Sequence, residues 1–185
     1  MADATGVTVY TIGHSTRPFE AFAELLGREE IHCVADVRTF PASRRRPHYN
    51  AAPLAAALTA VGVDYVHLPG LGGRRRPRRD SPNAAWRNEG FRGYADHMTT
   101  AEFEGALDTL VELAAVQRTA IMCAEAVPWR CHRSLVSDAL VARGATVLHI
   151  LDAKTSPHTL TSFAVVTDGV VSYPPGGPQQ DLFGG

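Results

Sequence analysis

The feature that most constrains this chain is a repeated alternation: a short β-rich apolar run, a loop of Gly, Asp, Pro or Cys, then an amphipathic helical stretch. Residues 7–12 form such a run and end in Gly13-His14-Ser15. Phe19, Phe22, Leu25 and Leu26 then recur at helical spacing over 19–29, with Thr16 as a hydroxyl cap and Pro18 near the first turn. Residues 31–37 repeat the pattern and lead into Asp36-Val37-Arg38, an alanine-rich helix follows over 51–61, and the run 63–68 opens into the loop 69–73. Helices over 102–116 and 134–143, the second closed by Gly144, flank strands at 119–123 and 146–151. Residues 163–173, with Asp168-Gly169 at their centre, read as a terminal hairpin.

Strands that alternate with helices in this way specify an α/β fold, a single domain with a mostly parallel sheet and flanking helices. The expected organisation is a domain over 1–173, with a basic loop insertion over 69–95 read as a lid or binding arm, and a flexible tail over 174–185. Ligands of such sheets gather outside the carboxyl ends of the strands, where Gly13-His14-Ser15, Asp36-Arg38, loop 69–73 and Cys123-Glu125 all fall.

No apolar run approaches the roughly 18 to 20 residues that cross a bilayer, and the first residues lack a basic segment followed by an apolar one. A cytoplasmic protein with no membrane partner is expected. Three cysteines, one inside a strand and two flanking a loop, argue against a disulfide framework. The net charge of −1 conceals a segregation: residues 38–92 carry eleven arginines against three acids. A basic face within a nearly neutral chain suits an anionic partner such as DNA or RNA, or else is a solvated surface.

The densest chemistry lies between Cys123 and Ser134. Cys123-Ala-Glu125 leaves a strand, and Arg130-Cys131-His132-Arg133-Ser134 begins a helix whose free N–H groups and positive end suit an anion and favour a thiolate at Cys131. Candidate anion-binding residues are Gly13, Ser15, Arg38, Arg130, Arg133 and Ser134; candidate catalytic residues are His14, Asp36, Glu125, Cys131 and His132. The spacing argues against a cysteine-phosphatase loop, since six residues rather than five separate Cys123 from Arg130, and a rhodanese-like sulfur carrier at Cys131 is no better supported. No metal is assigned, because neither a Cys-x-x-Cys nor a His-Glu-x-x-His spacing occurs, and no cofactor is required. His48, His149 and His158 have nothing around them in sequence to distinguish them.

Tyr10-Thr-Ile-Gly-His-Ser15, Asp36-Val-Arg38, Pro41 with Ser43, the run 65–72, Phe91, Tyr94 and Met98, and Cys123-Ala-Glu125 with Pro128 and Cys131-His-Arg133 together resemble the bacterial "domain of unknown function 488" family. The resemblance implies that Gly13, His14, Ser15, Asp36, Arg38, Cys123, Glu125, Cys131, His132 and Arg133 make the site, and assigns none of them a role.

The last residues, Gln179-Gln180-Asp181-Leu182-Phe183, resemble the short bacterial sliding-clamp-binding peptide, in which Leu182 and Phe183 would anchor a pocket and Gln179 would make polar contacts. Three functions therefore stand open: an enzyme on nucleic acid or a nucleotide, linked to DNA repair or replication through the tail; an enzyme on a phosphorylated or carboxylated metabolite; and a non-catalytic binding module.

Overall fold

The computed structural model describes residues 1–152 and 154–176. Its strands are β1 (Thr8–Gly13), β2 (Cys33–Asp36), β3 (Asp64–His67), β4 (Thr119–Cys123), β5 (Thr146–Ile150), β6 (Thr155–Pro157), β7 (Val165–Thr167) and β8 (Val170–Ser172). Its helices are α1 (Phe19–Arg28), α2 (Ala51–Ala60), α3 (Glu89–His97), α4 (Ala101–Val116) and α5 (Arg133–Ala142). Six strands make one sheet in the order β3-β2-β4-β1-β5-β6, parallel except for the edge strand β6, and β7-β8 is a separate antiparallel hairpin. The expected α/β class and terminal hairpin are thus what the chain forms. No helix among the described residues is long and apolar enough to cross a membrane.

The central strands carry apolar residues on both faces because both faces are covered, as buried parallel strands require. Tyr10, Ile12, Val34, Ala120 and Met122 pack against Phe22, Leu25 and Leu26 of α1 and Leu54 and Leu58 of α2. Val9, Ala35, Val37, Ile121 and Cys123 face the other way, onto Tyr94 of α3, Phe103 and Leu107 of α4, and Leu135 and Val136 of α5. Strand periodicity of two sorts each run into these layers.

Two elements depart from the sequence reading. Residues 89–97, inside the stretch read as an irregular basic loop, form α3, capped by the Asn88 side chain, which accepts from Gly90 N and Phe91 N. The loop before it is also fastened, since Asp96 accepts from Arg78 N (2.8 Å), Ser81 Oγ (2.6 Å) and Asn83 Nδ2 (2.9 Å). The second departure is the start of α1, where Pro18 takes the cap position with no side-chain cap. Thr16 therefore does not serve there.

The hairpin turns through Asp168 (φ 50°) and Gly169 (φ 76°), the left-handed pair of a two-residue hairpin turn. It docks through Tyr173, whose hydroxyl donates to Asp138 Oδ2 (2.7 Å) and whose N–H donates to Asn83 Oδ1 (2.9 Å). Asp138, sealed within α5, also accepts from His158 Nε2 (2.9 Å), Thr161 N (2.9 Å) and Thr161 Oγ1 (2.6 Å). One carboxylate thus ties His158, Thr161 and Tyr173 to α5. Asp138→Ala is expected to lower unfolding free energy by on the order of 3 kcal/mol, because it strands buried donors that now share one charged acceptor, a loss read from the urea midpoint.

Candidate active site

The strand order creates the crevice. From β1 the chain travels toward β2 on the α1 face, and from β4 toward β5 on the α5 face, so a switch point lies between the adjacent carboxyl ends of β1 and β4. Gly13 and Cys123 pair in register there. His14 N then donates to Cys123 O (3.0 Å) and Ser15 N to Ala124 O (2.9 Å), which draws the two departing loops together. A Cβ on Gly13 would lie 1.8 Å from the Glu125 carbonyl oxygen and 2.9 Å from the Arg133 guanidinium. Only glycine leaves room for that loop to close over β1.

Cys131 stands just before α5, with its sulfur 3.0 Å from that of Cys123 and 3.6 Å from His132 Nδ1. His132 Nε2 donates to the Val37 carbonyl (3.0 Å), which fixes the ring proton on Nε2 and leaves the Nδ1 lone pair facing the sulfurs. The Cys131 thiol is held below the ordinary thiol range, first by the hydrogen bond the Cys123 thiol gives to its thiolate, then by the Arg133 charge and backbone N–H, all against the opposing effect of burial. Cys123 is pushed the other way by that shared bond and by burial. All three cysteines are free. A thiolate, a thiol and an oriented imidazole therefore share one pocket.

Arg133 was expected to bind an external anion, and its surroundings correct that. It is 1 % exposed, its NH2 donates to the carbonyls of Glu125 (2.6 Å) and Ala126 (3.4 Å), and its NH1 donates to Thr11 Oγ1 (3.3 Å). The chain meets NH1 and NH2 in this way, while the buried Nε has no partner among the described residues. Arg38 is likewise committed: Nε and NH2 grip the two oxygens of Asp36 (2.8 and 2.5 Å), and NH2 also reaches the Tyr49 carbonyl (2.8 Å). The Ser134 hydroxyl donates to the Cys131 carbonyl (3.0 Å). Of the basic candidates beside the crevice, Arg130 alone is exposed.

Asp36 cannot act as a proton acceptor in this arrangement, since its oxygens already accept from Arg38 and from Tyr65 Oη (2.8 Å), and it is sealed from water. It positions Arg38. His14 donates from Nδ1 to the Ser15 carbonyl (3.0 Å), accepts from Arg38 at Nε2 (3.4 Å) and stacks on Tyr49 at 4.1 Å. Burial lowers its pKa to about 4, and the Arg38 charge adds to this, so it stays neutral at physiological pH. Ser15 holds a left-handed φ of 51°. The Glu125 side chain is exposed and forms no ion pair or hydrogen bond among the described residues. Gln179, Leu182 and Phe183 lie outside the described residues.

Several residues of the site were not legible beforehand. Thr11 Oγ1 donates to His149 Nδ1 (2.8 Å), His149 Nε2 to His158 Nδ1 (3.0 Å), and His158 Nε2 to Asp138 Oδ1 (2.9 Å), a relay that continues from Arg133 with every bond pointing the same way. Tyr94 Oη donates to the Leu71 carbonyl (2.7 Å) and His97 Nε2 to that of Gly70 (2.8 Å), which holds loop 69–73 over the cysteines. Gly73 comes so close that a Cβ there would lie 2.8 Å from His132 Nδ1. The prior signal for Tyr94 was the family resemblance, whereas loop 69–73 was already placed at the crevice by its position after a strand.

The ligand atoms of Cys123, Cys131 and His132 all lie within 4.8 Å of one another, a soft set of the kind that holds zinc. Two thiolates on a tetrahedral zinc sit about 3.8 Å apart, given zinc–sulfur bonds of about 2.3 Å. The sulfurs of Cys123 and Cys131 stand closer than that, at 3.0 Å.

A family model described as "Domain of unknown function DUF488" matches residues 18–140, more than half of the chain. The matched span includes Asp36, Arg38, Cys123, Glu125 and the 130–134 run, while Gly13, His14 and Ser15 precede it. No curated protein matches the chain, and no solved structure does.

Iodoacetamide is expected to modify Cys131 about tenfold faster than Cys33 near neutral pH, because Cys33 is mid-strand with its thiol pushed up to about 11 by burial. The Cys131 rate should stay level as pH rises above neutrality, since the thiolate is already formed, while the Cys33 rate climbs. Peptide mass spectrometry against time checks both.

Proposed function

This chain belongs to the DUF488 family, whose description names no activity, and we propose that it is an enzyme in which the Cys131 thiolate reacts with a nucleic-acid or nucleotide substrate held by the basic loops around the crevice. The observation that carries this reading is the Cys131–His132 pair at the switch point, with Arg133 behind it. A stabilised thiolate beside an imidazole of fixed tautomer is the arrangement of a cysteine nucleophile. Glu125, free at the mouth, is the group left for proton transfer.

The substrate class rests on the surroundings. Arg44, Arg45, Arg74, Arg76, Arg79 and Arg87 are exposed and pair with no acid among the described residues. Phe40, 73 % exposed, and Trp129, 64 % exposed, stand on the loops that leave the neighbouring strands β2 and β4. Unpaired arginines supply phosphate contacts, and exposed rings supply stacking surfaces for unpaired bases. Single-stranded nucleic acid answers both needs. The tail, through Gln179, Leu182 and Phe183, would recruit the enzyme to the bacterial sliding clamp and so to DNA replication or repair.

A short single-stranded oligonucleotide is expected to protect Cys131 from iodoacetamide at low salt and to lose that protection steeply as salt rises. Phe40→Ala and Trp129→Ala should each weaken protection about tenfold, as loss of base stacking does. Protection by a phosphorylated or carboxylated metabolite that co-purifies with the protein, and not by the oligonucleotide, would replace this substrate class. Leu182→Ala/Phe183→Ala is expected to leave thermal stability unchanged and to weaken binding to the sliding clamp by several kcal/mol; calorimetric titration reads the second and a melting curve the first.

A further inference from the structure

Beyond the hydrogen bond that helps to stabilise the Cys131 thiolate, Cys123 has no task in the reaction just described, yet its sulfur touches the nucleophile. It sits at the end of β4, where register with Gly13 fixes the backbone, while Cys131 is fixed by the 3-10 turn Pro128–Arg130 and the start of α5. Two thiols held in contact from separate elements are the geometry of a redox pair, since a closure of about 1 Å brings their sulfurs to bonding distance. An imidazole lone pair faces both.

We infer that Cys131 is a site of oxidation by hydrogen peroxide and that Cys123 is its resolving partner, so that peroxide converts the reduced pocket into a Cys123–Cys131 disulfide. The inference rests on the reading of Cys131 as a thiolate nucleophile. In the first step the Cys131 sulfur attacks one peroxide oxygen and the O–O bond breaks. Cys131 becomes a sulfenic acid, oxidised by two electrons, and the departing hydroxide takes a proton to leave as water. In the second step the Cys123 thiol gives its proton to His132 Nδ1 and attacks the sulfenic sulfur. The S–O bond breaks, the S–S bond forms, and the hydroxide released takes the proton back from His132 as a second water. One peroxide and two thiols thus give one disulfide and two waters.

The pocket favours small oxidants. Cys131 is 4 % exposed, and Gly73 of loop 69–73 stands against His132 beside it. Cys33 lies apart, sealed within β2. The disulfide removes the nucleophile, so oxidation would switch the site off until a dithiol reduces it.

The test uses the full chain, reduced and then exposed to hydrogen peroxide, with thiols blocked by N-ethylmaleimide before digestion. Trypsin cuts after Arg118, Arg130 and Arg133, so the disulfide joins peptide 119–130 to peptide 131–133, a species of distinct mass. The expected result is that species in wild type and in Cys33→Ser, its reversal by dithiothreitol, and its absence from Cys123→Ser and Cys131→Ser. In Cys123→Ser, dimedone should trap a sulfenic acid on Cys131 about tenfold more than in wild type, because the resolving thiol is missing. A disulfide through Cys33, a sulfenic acid on Cys123, no oxidation at all, or stoichiometric zinc that shields both thiols until it is chelated would each overturn the inference. The readout needs no substrate. Fast alkylation of Cys131 with no disulfide would therefore sink the redox pair alone, whereas slow alkylation with an intact fold would remove the thiolate on which both readings stand.

Discussion

A guanidinium sealed from water with no carboxylate against it organises this molecule. Burying an unpaired charge costs several kcal/mol, and the chain around Arg133 is arranged to offset that. The Glu125 and Ala126 carbonyls turn inward to accept from it, which forces the loop after β4 down onto β1 and leaves no space for a side chain at Gly13. The Arg133 charge in turn helps to hold the Cys131 thiol below its ordinary range.

NH1 of Arg133 begins the relay through Thr11, His149 and His158 to Asp138. The path leaves α5 at its first residue, crosses β1 and β5, and returns to the same helix at Asp138. Burial holds His149 neutral at physiological pH, with a pKa lowered to about 4. Because Tyr173 and Thr161 share the Asp138 carboxylate, the packing of the C-terminal hairpin is joined to the set of the arginine beneath the thiolate.

Much of this architecture could be read from the chain. Apolar runs of strand length alternating with helical periodicity gave the parallel sheet, because burial on two faces leaves a composition that an exposed sheet does not. The helix α3 escaped notice because its residues lie in an Arg- and Gly-rich stretch, and its apolar face, Tyr94 and Ala95, is short. Cys131 and His132 stood out because a thiol before a helix has a physical consequence wherever it occurs. Their contact with Cys123 did not, since only the register of β1 and β4 brings the two sulfurs together. The arginines were misread for the same reason: sequence gives a charge, and only the packed structure shows whether it faces water or a carbonyl. His149 and His158, nine residues apart, meet through the antiparallel return of β6.

The position of β1 bears on how the chain is made. This strand leaves the ribosome before the rest of its sheet, yet it lies between β4 and β5, which pair with it from Thr119 and Thr146 onward. Until those residues emerge it has neither neighbour, and β2 and β3 can pair only with each other. Nascent chains therefore carry an apolar strand with both edges open through most of synthesis, a state in which intermolecular pairing competes with folding. The site at the carboxyl end of β1 accordingly cannot form until β4 and the start of α5 have emerged to lie beside that strand.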